Sequence, residues 1–261
     1  MKKKTGILTT STLLGLLVTS AQAAISVTNS TAASFAVSTT DLLQTQFASY
    51  SGDSLSDGPG TNDTLYLTQL ATQGITVGEA SLRDGTWYNN DAAGWGSNTG
   101  NFSQIGKTTA ESRGSALAQS GEFSIFNFDV STNTLGYDIT GVDLFSNWGS
   151  GAGRDEINVQ ISFALVGTPT VFDQSILTPA AYNPVFVDID DTQGLMSITE
   201  DTTGIIASGI AAIRFDWLSP QENGAVGYSE LDVFGTATVP EPSAALLGGL
   251  GGLLLLRRRR A

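Results

Sequence analysis

The sequence predicts an all-β protein, a single antiparallel β-sandwich or jelly roll. Three observations carry that expectation. Short apolar runs recur between clusters of Gly, Ser, Thr, Asn and Asp, which are turn formers. Several of those runs alternate apolar and polar residues with a period of two, and no stretch sustains the period of a helix. Finally, the chain has no linker long enough to divide its body and no internal repeat.

Taken in chain order, the first segment is an address. Lys2, Lys3 and Lys4 precede an apolar stretch around Leu13 to Val18, and Ala21-Gln22-Ala23 forms a small-x-small cleavage site. Residues 1–23 therefore read as a secretory signal peptide, with Ala24 as the new N-terminus. The apolar centre is too short for a membrane span, which needs roughly 20 residues.

Residues 24–238 follow as one domain of about 215 residues, long enough for a sizeable core. Residues 24–78 are expected to add strands to the same sandwich. The expected strand-forming runs are "TLYLTQLA", "EFSIFNFDV", "ITGVDLFSNW", "EINVQISFALVG", "PVFVDID", "IAAIRFDWL" and "YSELDVFGTA". In residues 157–165, Ile157, Val159, Ile161, Phe163 and Leu165 share one face, with Asn158, Gln160 and Ser162 opposite. In the last run, Leu231 and Val233 oppose Asp232 and Phe234. Trp217, beside Ile213 and Phe215, is read as a residue of the outer sheet face.

Composition limits the chemistry. There is no Cys and no His in the chain. Disulfides, thiol nucleophiles, His-based triads and the usual zinc sites are thereby removed. Any catalysis would rest on carboxylates, Lys107, tyrosines or serines, and any metal would be a hard, oxygen-bound cation such as calcium. Two carboxylate groups stand out and neither makes a convincing site. Asp188, Asp190 and Asp191 precede Gly194 but lack the later bidentate Glu of a helix-loop-helix calcium site, so an acidic turn is expected. Asp155 and Glu156 are sequence neighbours that point to opposite faces of a strand, unlike glycosidase carboxylates, which face each other about 5 to 9.5 Å apart.

The chain ends in a second address. Ala244 to Leu256 is an apolar run of about 13 residues, roughly 20 Å as a helix, against a hydrocarbon core of about 30 Å. Arg257 to Arg260 would stay on the cytoplasmic side. Pro240 and Pro242 hold the preceding strip extended and accessible. Val239-Pro240-Glu241-Pro242, the apolar run and the arginine cluster closely resemble the PEP-CTERM sorting signal, over residues 239–261. That resemblance implies export in an exopolysaccharide-making Gram-negative bacterium, transient membrane contact through the tail, and cutting by an exosortase-type protease. The alternative is an ordinary C-terminal anchor.

Removing both addresses changes the charge. The chain holds 12 basic and 25 acidic residues, a net of −13. Loss of Lys2, Lys3, Lys4, Arg257 to Arg260 and Glu241 leaves 5 basic and 24 acidic residues, a net of −19. Such a surface repels nucleic acid and anionic lipid.

Three stretches in order resemble the galactose-binding-like domains of discoidins, coagulation-factor C-type modules and related carbohydrate-binding modules. They are "SLRDGTWYNNDAAGWGSNTGN", "ITGVDLFSNWGSGAGRDEINVQISFAL" and "AAIRFDWLSPQENGAVGYSELDVFG", and the resemblance covers residues 79–235. It implies a structural calcium between Asp84 and Glu230, with carbonyls between Asp84 and Asn90 as further ligands. It also implies ligand binding on loops at one end of the sandwich. Trp87, Tyr88 and Trp95 would cover the apolar face of a sugar, and Asn89, Asn90, Asp91 and Asn98 would bind its hydroxyls. The competing readings stay open: Asp84 caps a turn, Glu230 makes a surface pair, and the loop tryptophans plug the sandwich. Trp148 and Arg154 are read as stabilising the fold, Arg154 by pairing with a carboxylate. The expected function is that of a non-catalytic envelope or matrix protein binding carbohydrate. The alternatives are a structural matrix protein without glycan binding and a polysaccharide hydrolase.

Overall fold

The computed structural model describes residues 24–32, 35–53, 78–83, 116–146, 156–172, 174–175, 180–182, 193–219 and 225–239. Residues 1–23, the second address from Pro240 onward, "TLYLTQLA" and "PVFVDID" lie outside them. Among the described residues the elements are β1 (Ile25–Ala32), α1 (Leu42–Thr45), β2 (Phe47–Gly52), a 3-10 helix (Gly78–Arg83), β3 (Ala116–Gln119), β4 (Phe123–Phe128) and β5 (Tyr137–Ser146). They continue with β6 (Ile157–Leu165), β7 (Gln174–Ser175), β8 (Ala180–Tyr182), β9 (Gln193–Glu200), β10 (Ala207–Trp217) and β11 (Ala225–Ala237).

The fold is an all-β antiparallel sandwich, as the alternation predicts. One layer runs β1-β9-β5-β11-β3. The other runs β2-β4-β10-β6, with the short β7 and β8 on β6. The layers meet at a corner where β10 pairs briefly with β5, Ala207 opposite Ile139 and Ile210 opposite Tyr137, across a shift in register. Such irregularities bend a strand and let a sheet turn from one layer into the next.

Period-two patterning decides what lies between the layers. Ile157, Val159, Ile161 and Phe163 are fully buried, and Leu165 packs against the same core. Trp217 corrects the expectation of an outer-face residue: it is fully buried, because it shares the parity of Ile213 and Phe215. Its ring stacks on Phe215 at 5.5 Å and meets Tyr228 of the opposite layer at 4.5 Å. Its indole N–H donates to Ser124 Oγ at 3.1 Å, so its polar atom is satisfied inside the core.

The outer face of β5 and β11 is also covered. The Phe35 ring stands 5.9 Å from that of Phe145, and the Ser38 N–H donates to Asp232 Oδ2 at 2.7 Å. Asp41 caps α1 by accepting from the Leu43 N–H at 2.7 Å. Leu42 then comes so close to β11 that a Cβ on Gly235 would lie 2.8 Å from Leu42 Cδ1 and 2.6 Å from the Asp138 carbonyl oxygen. Glycine at 235 is what allows α1 to dock.

Gly235→Ala is therefore expected to lower stability by about 1–3 kcal/mol, the usual cost of overpacking. Gly167→Ala, whose Cβ meets nothing within 4 Å, should stay within about 0.5 kcal/mol of the parent. Urea unfolding of the two variants makes the comparison.

Candidate functional site

The strands divide the sandwich into two ends. At one end β2, β4, β10 and β6 are stitched together at their tips. The Gly121 N–H donates to the Trp217 carbonyl at 2.7 Å, and the Trp217 N–H returns a bond to the Glu122 carbonyl at 2.9 Å. The Leu218 N–H donates to the Asn158 carbonyl at 2.8 Å, and Asp53 Oδ2 accepts from the Phe123 N–H at 2.9 Å. Ser146 and Glu156, which border residues 147–155, belong to this end, as do Ser219 and Ala225, which border residues 220–224.

The 3-10 helix fixes the point from which the Trp-rich segment leaves. Leu82 is fully buried in the core, and the Arg83 guanidinium lies 3.7 Å over the Phe47 ring. Asp84 follows directly. The sequence-predicted Asp84, Trp87, Tyr88, Asn90 and Trp95 lie outside the described residues, with Asn89, Asp91, Asn98, Trp148 and Arg154. The same holds for Asp188, Asp190, Asp191, Pro240, Glu241 and Pro242.

Glu230 is described, and the expectation of a surface pair is corrected. Its side chain is fully buried on the covered face of β11, and Gln44 Nε2 donates to its Oε1 at 2.8 Å. A calcium ion needs six to eight oxygens. Among the described residues no three His, Cys, Asp or Glu side chains are grouped to hold a metal. The calcium site that the resemblance implies pairs Glu230 with Asp84 and carbonyls up to Asn90, which lie outside the described residues.

The described neighbours of Glu230 form a buried carboxyl layer that sequence reasoning missed. Asp41 from the α1 cap and Asp232 from β11 are both buried, with Asp143 of β5 directly opposite Asp232. Asp41 Oδ1 accepts from the Leu43 and Val233 N–H groups, and Asp232 Oδ2 from Ser38. Asp41 Oδ2 and Asp232 Oδ1 have no donor among the described residues. Burial, reinforced by the charges of Asp41 and Asp143, pushes the Asp232 carboxyl up to about 7. Burial also raises Asp41 and Asp143. The available signal was the run Ser38-Thr39-Thr40-Asp41 ahead of Leu42-Leu43, which reads as a helix N-cap.

On the uncovered face of the second layer, Arg214 Nε and Nη2 bind Asp216 at 2.9 and 2.5 Å. The guanidinium also lies 4.3 Å over the Phe123 ring. Its pKa is raised by the hydrogen-bonded Asp216. Arg214 thus acts as a brace across β10 and β4.

The carboxyl layer gives stability a definite pH dependence. Folded Asp232 keeps its proton up to about pH 7, whereas the unfolded chain releases it near 3.8. The folded state binds more protons between those values, so stability is full below 3.8 and falls as pH rises through 7. Asp232→Asn, which can accept from Ser38 and donate to Asp41, is expected to be more stable than the parent at pH 8 by on the order of 2 kcal/mol. The gain should vanish near pH 4, as read by urea unfolding at both pH values.

No family model matches the chain, and no curated protein does. Among solved structures, a mutant of the lectin-binding domain of lectinolysin complexed with Lewis b is similar at 9% identity and a TM-score of 0.39, covering 77% of this chain and 99% of that one. The lectin domain of lectinolysin complexed with Lewis B antigen is similar at 10% identity and a TM-score of 0.37, covering 77% of this chain and 100% of that one.

Proposed function

We propose that the chain is an exported, non-catalytic protein of the cell envelope or extracellular matrix that binds carbohydrate, with exopolysaccharide as the substrate class. The observation that carries this reading is the fixed departure of the Trp-rich segment. Buried Leu82 and the Arg83–Phe47 contact hold the residues that immediately precede it against the sandwich. A binding loop gains affinity from such an anchor, because less ordering is left to be done on binding. The segment then offers Trp87, Tyr88 and Trp95 beside Asn89, Asn90, Asp91 and Asn98, the residue types that stack on a sugar and hydrogen-bond its hydroxyls. The lack of His and Cys argues against a catalytic role.

In this reading the leader directs export, and the tail, marked by Pro240-Glu241-Pro242, pauses in the membrane until an exosortase-type protease processes it. A second reading is favoured by the net charge of −19 left on the body: a structural matrix protein whose acidic surfaces are bridged by calcium, without glycan.

A glycan panel together with the producer's exopolysaccharide, screened with calcium and with a chelator, separates the two. Binding to a defined sugar is expected, and Trp87→Ala or Trp95→Ala should weaken it roughly tenfold or more. Binding unchanged in both variants would contradict the site. Calcium-dependent self-association with no sugar bound would favour the matrix reading.

A further inference from the structure

Five large apolar side chains are exposed among the described residues: Val27, Leu135, Val171, Ile205 and Val239. Isolated exposed apolar residues need no explanation, but these are not scattered. Four of them lie at the end opposite the Gly121–Trp217 strand tips. Leu135 is in the β4–β5 turn, Val171 follows β6, Ile205 precedes β10, and Val239 follows β11.

Backbone bonds tie these turns together. The Thr238 N–H donates to the Gly136 carbonyl at 2.9 Å, the Val166 N–H to Gly209 at 3.1 Å, and the Ile206 N–H to Ile139 at 2.7 Å. Gly136 has φ +80, and a Cβ there would lie 2.7 Å from Gly209 C and 2.8 Å from Val166 Cγ2. The tips therefore form one rigid surface. The first described residue, Ala24, is at the same end, its carbonyl accepting from the Asp201 N–H at 3.1 Å.

The charges there suit a particular kind of surface. Residues 129–136, 166–172, 201–206 and 238–239 contain no Lys or Arg. Their carboxylates, with those of neighbouring Asp138 and Glu200, are largely committed to the protein. Asp129 accepts from the Ser131 N–H at 2.8 Å, and Asp138 from Thr238 Oγ1 at 2.6 Å and from Ser208 Oγ. Glu200 accepts from the N–H groups of Thr202 and Gly204, each at 2.8 Å, and from the N–H and hydroxyl of Thr203. Burial opposes ionisation of Glu200, but the Thr203 and Thr202 donors outweigh it and hold the group at about 2. Carboxylates already supplied with donors lose less on approaching a lipid headgroup, while the lack of cations gives no attraction to anionic lipid.

The apolar run Ala244 to Leu256 begins five residues after Val239. Five residues span at most about 18 Å. A membrane holding that run holds this end of the sandwich against itself. We propose that this end is a membrane-facing surface, on which Leu135, Val171 and Ile205 touch the interface of a zwitterionic bilayer when residues 244–256 enter it. The inference rests on the reading of the tail given above, and it adds a face of the folded domain that the tail alone does not require.

The absence of cysteine allows single-cysteine labelling. The exported form, residues 24–261, is given an environment-sensitive fluorophore at Leu135→Cys, Val171→Cys or Ile205→Cys, at Ser120→Cys in the exposed turn of the other end, and at Leu254→Cys in the tail. Vesicles of phosphatidylcholine are then added. Emission at 135, 171 and 205 is expected to rise at least twofold and shift to the blue, with Ser120 unchanged. A response at Leu254 with none at the three tips, or an equal response at Ser120, would overturn the membrane-facing surface and leave the tail reading intact. Silence at Leu254 would refute the tail reading, and the proposal would fall with it.

Discussion

Burial of both faces of β11 is the constraint on which the rest of the molecule depends. Its inner face gives Val226, Tyr228, Leu231 and Val233 to the core. Its outer face gives Glu230 and Asp232 to a polar layer roofed by the segment around α1. A strand buried on both sides cannot be displaced without opening the core and the roof together. Because β11 also pairs with β3 and β5, it joins the edge of its layer to the centre. The Trp217–Tyr228 contact then couples that layer to the other.

The polar roof is an unusual way to close a sheet. Apolar contacts would hold α1 with less desolvation, and burying carboxyls costs free energy unless they are hydrogen-bonded or protonated. Here Gly235 provides the close approach, backbone N–H groups of Ser38, Leu43 and Val233 bind the carboxyls, and protonation lowers the remaining cost. The N-terminal part of the chain thus becomes a structural component of the sandwich. The end of that body formed by the β4–β5 turn and the close of β11 also carries the chain's approach to the tail.

Much of the fold was legible because one period dominated. The alternation in residues 157–165 fixes which side chains enter the core, and the same parity places Trp217 inside. β9 was less legible, since only Met196 and Ile198 mark its inner face between the buried Gly194 and Glu200. β1 is almost wholly exposed and carries little apolar pattern to read. The candidate site was legible only in part. Glu230 stood out in the sequence, but its partner Gln44 lies 186 positions away, and the Ser38–Asp232 bond spans 194. No local pattern encodes such pairings. They arise only once tertiary packing brings the two segments together.

Hydrogen exchange along β11 tests the central constraint most directly. With both faces covered, the amides of Leu231, Asp232, Val233 and Phe234 should exchange only through global unfolding, at the slowest rates in the protein and far behind those of exposed β1. Exchange of these amides at the rate of β1 would contradict the account, because it would mean that the roof over β11 opens without the core.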